Sequence, residues 1–247
     1  MMSINSYVAV KPSACVTTIT PTLARSVAHD IPISLCSDCL GTHRMNEIGR
    51  RICLRYRYLR ALVHNLNDAL IDARSPSVDD IVRRVTVPAC FRDGGDDERS
   101  TREWGQACLL SYRDFLRVQR FACIVDSGQH VRTEARSMHD SGPAVAFAGY
   151  IDAAAVREDG TFVCVSLTMA PMWVVPGHEI AATIIFGHLA VHAYSVDNVE
   201  IVHVAVPSGL WKSVRPMPEL LAGEAVQCSE IVARLARDMH SQTDNPM

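Results

Sequence analysis

The chain has 247 residues, a formal charge of −3 and an apolar fraction of 48%. That excludes a disordered chain, which combines low hydrophobicity with high net charge. It also excludes a bulk nucleic-acid coat, which needs a large positive charge. No run reaches the roughly 18 apolar residues of a membrane span; the longest, Ile180 to Val191, is broken by Gly187 and His188.

A chain of this length buries about 70% of its unfolded surface, enough for one large core. We therefore expect a single domain over residues 31–247, with a helical part at 41–119 and a sheet core at 120–240. Residues 1–30 stand apart: Met1 to Ala28 contain no Asp or Glu, one Lys, one Arg and many Ser and Thr. Acid-poor, Ser-rich segments of this kind are typical of mitochondrial transit peptides. Composition equally allows a polar N-terminal arm on a cytoplasmic protein.

In chain order, apolar residues from Ile48 to Ile71 recur at steps of three and four, predicting a helix over 41–73. Within it Arg50, Arg51, Arg55, Arg57 and Arg60 fall in eleven residues with no acid between them. Guanidinium forks in such a cluster suit phosphate contacts, although a solvated helix face produces the same pattern. Ser75-Pro76-Ser77 ends this helix, and Ser77-Val-Asp79-Asp80 caps a short second one. Arg92 to Arg99 reads as a charged loop, and Thr101 to Gln119 as a third helix.

The period then changes. Phe121–Asp126, Val131–Arg136, Ala144–Val156 and Phe162–Met169 read as short strands, parted by turn signals at Ser127-Gly128, Ser141-Gly142-Pro143 and Glu158-Asp159-Gly160. A helix from Gly177 to Tyr194, a strand over Val199–Val206 and a closing helix from Pro218 to Met239 complete the chain. The expected class is α+β (or α/β) with a mixed sheet flanked by helices.

The nine cysteines are odd in number and irregularly spaced, as free buried thiols are in a reducing compartment. Cys36-x-x-Cys39 is the one metal-like pair; with His43 and Cys53 it could supply four zinc ligands. His178, His188, His192 and His203 lack an H-E-x-x-H signature and read as structural. Neither Ser166 nor Ser208 lies in a G-x-S-x-G context. Phosphate-binding and dinucleotide loops are absent from the sequence as well.

One stretch carries more. Gly149-Tyr-Ile-Asp152 ends a strand, a turn follows at Asp159-Gly160, and the next strand reads Phe162-Val-Cys-Val-Ser166-Leu-Thr168. A helix with Glu179-Ile-Ala-Ala-Thr183 follows. This layout resembles the PD-(D/E)XK nucleases of the RecB-like group, in which G-x-x-D precedes a D/E-x-K strand and a Q-x-x-x-Y helix. Further matches resemble the mitochondrial genome maintenance exonuclease branch: Val16-Thr-Thr-Ile19 near the N-terminus, His64-x-x-x-Asp68 on the first helix, Trp104 on the third, Glu134 on a strand and Phe147-Ala-Gly149 before Asp152. The resemblance implies a restriction-endonuclease-like fold and Mg²⁺-dependent cleavage, in which two carboxylates hold the ion and a Lys orients the attacking water.

The departures decide the expectation. Ser166 stands where that family has its second carboxylate, Thr168 where it has Lys, Glu179 where it has Gln and Thr183 where it has Tyr. Hydroxyls are poor Mg²⁺ ligands, and Thr168 supplies no cation. The sequence thus points to an inactive nuclease-like protein without cofactor. It would serve as a structural or assembly subunit among the proteins of a larger complex with RNA or DNA, such as the mitochondrial ribosome. Two alternatives stand beside it: an active Mg²⁺ exonuclease recruiting Glu134 or Asp159, and a zinc-stabilised binding module.

Overall fold

The computed structural model describes residues 17–19, 47–92, 96–135, 145–169, 186–187, 189–196 and 198–216. The first helix, α1, spans Glu47–Ile71. It buries Tyr58, Leu59, Leu62, Val63 and Leu66, the three-and-four stripe that made it legible. The second, α2, spans Val78–Arg84, and Ser77 Oγ caps it by accepting the Asp80 N–H at 3.1 Å. The third, α3, covers Asp96–Gln119 and turns Cys108, Leu109, Tyr112 and Phe115 inward. It starts inside the stretch expected to be a charged loop. Asp97 and Glu98 belong to its first turn, where acidic side chains favour the positive end of the helix dipole.

Among the described residues, six strands form one mixed sheet: β1 (Thr17–Ile19), β2 (Phe121–Ala135), β3 (Val145–Arg157), β4 (Phe162–Thr168), β5 (Glu200–Ala205) and β6 (Leu210–Val214). The order is β1-β3-β4-β5-β6, with β2 also paired to β3. Pairs β1–β3 and β4–β5 are parallel, and the others antiparallel. The expected β3–β4 hairpin is present, turning at Gly160 with φ +83°.

Ser127-Gly128 is not a turn. β2 runs through it as one 15-residue strand, irregular between Phe121 and Asp126, with Gly128 held at φ +68°. A left-handed glycine inside a strand marks a local distortion here, not a reversal. Two strands escaped the sequence reading: three-residue β1, and β6, whose Leu-Trp-Lys-Ser-Val has no long apolar run.

The three helices cover one face of the sheet, packing against Ala153, Val163, Val165, Leu167, Val202 and Val204. Strand alternation sends Cys164, Ser166 and His203 to the other face, where Phe186 lies 6.0 Å from the His203 ring. Positions 186–187 and 189–194 are helical, within the expected Gly177–Tyr194 helix. The remainder of that helix, the Ser141-Gly142-Pro143 turn and the closing helix from Pro218 to Met239 lie outside the described residues. The chain is an α+β protein with a mixed sheet flanked by helices.

Candidate functional site

β2 pairs along the whole of one edge of β3. On the other edge, β1 takes residues 145–147 and β4 takes residues 153–156. Among the described residues, 148–152 of that edge have no ladder partner, and Asp152 lies where β4 departs from it. Its side chain is 2% exposed. Backbone polar groups freed at such a fork need partners. Asp152 Oδ2 accepts the Leu167 N–H at 2.9 Å, and the Tyr56 hydroxyl donates to the Leu167 carbonyl at 3.0 Å.

The other carboxylate oxygen faces α1. Arg60 Nε donates to Asp152 Oδ1 at 2.6 Å, and His64 Nε2 lies 3.3 Å from the same atom. Arg60 and His64 are four residues apart, so one helix face delivers both. The Arg60 guanidinium lies over the Tyr150 ring at 4.1 Å and over Tyr56 at 5.5 Å. Burial works to lower its pKa, but the Asp152 charge and hydrogen bond outweigh that and raise it. The flanking pairs Ser127↔Ala153 and Gln129↔Ile151 put Gly128 across from Asp152. A Cβ at Gly128 would come within 2.7 Å of His64 Nδ1, so the bare backbone is what admits the imidazole.

Ser166 and Thr168 are brought close, since the amide that Asp152 accepts belongs to Leu167 between them. Both are buried. In the parallel ladder Ser166 lies beside His203, and Thr168 Oγ1 donates to the Val204 carbonyl at 3.3 Å. Asp68 is exposed, one turn beyond His64. Glu134 pairs with Ala146, six residues from Asp152 along β3, which is about 20 Å at strand rise. Asp159 sits in the turn beyond the far end of β3, where the Thr161 N–H bonds it and lowers its pKa. Along the backbone of the sheet, neither Glu134 nor Asp159 lies beside Asp152. Glu179 lies outside the described residues.

A Mg²⁺ ion does not fit the donor set at this site. Such an ion takes oxygen ligands in octahedral geometry, commonly one or two carboxylates plus substrate oxygens. Here both oxygens of the one carboxylate already accept from protein donors, an arginine contributes the positive charge, and the companion positions are hydroxyls. Among the described residues no three His, Cys, Asp or Glu side chains converge to hold a metal. Of the zinc candidates, Cys36, Cys39 and His43 lie outside the described residues, and Cys53 is placed only as part of α1.

The arginine cluster is not one stripe. At 100° per residue it divides into separate directions. Arg51 bonds Asp97 at 2.9 Å and lies 5.2 Å from the Phe91 ring. Arg55 lies over Phe91 and Trp104, at 5.5 and 5.9 Å. Arg57 is exposed, Arg60 turns to Asp152, and Arg50 is placed only as part of α1.

Sequence reasoning missed Arg60 as the partner of Asp152, because it read Arg60 only within a phosphate-contacting cluster. It also missed Tyr150 and Gly128, although Tyr150 lies inside the quoted motif.

No family model and no curated protein matches the chain. Among solved structures, the crystal structure of SSO0001 is similar at 10% identity, over 89% of this chain and 78% of that chain, with a TM-score of 0.27. Similarity at that level carries no functional argument.

Proposed function

We propose that this chain is a catalytically inactive protein of the PD-(D/E)XK nuclease type, serving as a structural or assembly subunit of a larger nucleoprotein complex. The observation that carries this reading is the state of Asp152. Its carboxylate is buried and satisfied by Arg60, His64 and the Leu167 amide. Hydrolysis of a phosphodiester in that family asks a metal for several kcal/mol of charge stabilisation and an activated water. Asp152, Ser166 and Thr168 offer neither the ligands nor the cation. The acid-free N-terminal segment supports a mitochondrial complex, and the mitochondrial ribosome is a fitting host by analogy.

The test is a Mg²⁺-dependent cleavage assay on single-stranded DNA, run beside a gradient measurement of native assembly size. The expected outcome is no cleavage, with the protein sedimenting in a large particle. Robust cleavage abolished by Asp152→Asn would replace this reading with the exonuclease.

A further inference from the structure

We infer that Arg60 is the permanent counter-ion of Asp152: a guanidinium built into α1 that stands where a metal-dependent site would hold a divalent cation, and that fastens α1 to the fork between β3 and β4. The inference rests on the inactive-site reading for the idea of replacement, and on geometry for the latch itself.

Three features select a guanidinium. The carboxylate is almost wholly buried, and a buried carboxylate needs a fixed positive partner. The partner's guanidinium carbon lies over two tyrosine rings, at 4.1 and 5.5 Å from their centroids. Aromatic faces favour a flat, weakly hydrated cation, whereas Mg²⁺ keeps its waters and demands oxygen ligands. The contacts also span three elements. Tyr56, Arg60 and His64 of α1 reach Tyr150 and Asp152 of β3 and the Leu167 backbone of β4, while Gly128 of β2 leaves room for the imidazole. Asp152 is thereby retained for the joint between helix and sheet, without a role in chemistry.

Chemical rescue tests this directly. Arg60→Ala leaves an uncompensated buried carboxylate and should lower the melting temperature by about 10 °C. Guanidinium at a sub-denaturing concentration should return part of that loss, while matched NaCl and Mg²⁺ should not. Wild-type protein should melt at the same temperature with Mg²⁺ as with a chelator. Should Arg60→Ala fail to fold, Arg60→Lys and Asp152→Asn carry the test. Lys keeps the charge but loses the flat guanidinium over the two rings and its Nε bond, so its loss should be intermediate. The double variant Arg60→Ala/Asp152→Asn should lose less than the two single losses added together.

Strict additivity, an unresponsive Arg60→Ala, or stabilisation of the wild type by Mg²⁺ would each overturn the latch. The cleavage assay separates the two ideas. Cleavage by the wild type alongside a rescued Arg60→Ala would sink the inactive reading and leave the latch standing. An inert wild type with an unrescued variant would do the reverse.

Discussion

Two buried acids flank β4 from opposite sides: Asp152 of β3 beside Leu167, and Glu200 of β5 opposite Val163, four residues earlier in β4. The first is held by a helix and the second by the sheet. Arg157, the last residue of β3, grips Glu200 with both Nη atoms at 2.8 and 2.6 Å. Arg215 Nε adds a bond at 2.8 Å and the Ser213 hydroxyl another. Gln119 Oε1 steadies Arg157 at 2.6 Å. Asp152 has one guanidinium, one imidazole and one amide. Asp152 lies inside β3 rather than at the strand end its motif suggested, and Glu200 heads β5. Both accept from several protein donors, so burial and charge pairing do not by themselves mark an active site. What distinguishes Asp152 is its position at a fork in the sheet, where Tyr150 beside its arginine stays 43% exposed.

The largest effect should come from breaking the Glu200 grip. Arg157→Ala removes a two-pronged partner from a carboxylate that is 4% exposed, and should cost about 3–5 kcal/mol in urea denaturation. A pH signature accompanies it. Burial works to raise the Glu200 pKa, but hydrogen bonds from Arg157, Ser213 and Arg215 outweigh it and hold the carboxyl below the ordinary range. A depressed acid stabilises the fold above its unfolded value, and that stabilisation is lost as pH falls through the folded value. Melting temperature should therefore fall on the acid side of about pH 4.5, with a shallower acid limb in Glu200→Gln. A loss in Arg157→Ala no larger than that of an exposed pair would break the comparison.

The two sites differed in how far the sequence announced them. Asp152 was legible because Gly149-x-x-Asp152 precedes an apolar hairpin, and the β3–β4 pairing followed from the Asp159-Gly160 turn. Arg60 was not. It lies 92 residues away on a helix whose arginines share no single face, and only packing decides which of them turns inward. Glu200 offered a weaker signal, a lone charge heading the apolar run Ile201 to Val206. Nothing in the sequence pairs it with Arg157 and Arg215, which come from β3 and from beyond β6. Local pattern revealed the helices because each buries one repeating stripe, and the central strands because burial on both faces makes them near-continuous apolar runs. Left-handed Gly128 was misread because glycine marks a turn and a strand distortion alike.

That glycine supplies a smaller effect that sharpens the comparison. Gly128→Ala adds a Cβ at φ +68° within 2.7 Å of His64, and should cost about 2–3 kcal/mol from strain and crowding together. His64→Ala in the same chain should recover part of it. Gly160→Ala is the control, at φ +83° with no atom within 4 Å of its Cβ, and should lose the smaller cost of strain alone. Equal losses in the two variants would show that the imidazole does not press on β2.

The smallest effect should come from Arg215, and it measures how much of the Glu200 site is geometry and how much is charge. Its side chain is 59% exposed, and it shares Oε2 with the Arg157 fork. An exposed guanidinium gives up part of its attraction to solvent and to the entropy of holding a long side chain, so Arg215→Ala should cost about 0.5–1 kcal/mol. Salt should shrink that difference, because charges exposed at the surface are screened over roughly 8–10 Å at physiological ionic strength. The Arg157→Ala loss should respond less, since its fork lies against a buried carboxylate. The two substitutions should also couple: with Arg157 gone, Arg215 is the remaining guanidinium on Glu200, and its removal should then cost more than in the wild type. Double-variant denaturation at low and high salt reads both effects. An Arg215→Ala loss equal to that of Arg157→Ala and insensitive to salt would mean that Glu200 depends on total charge and not on the buried fork.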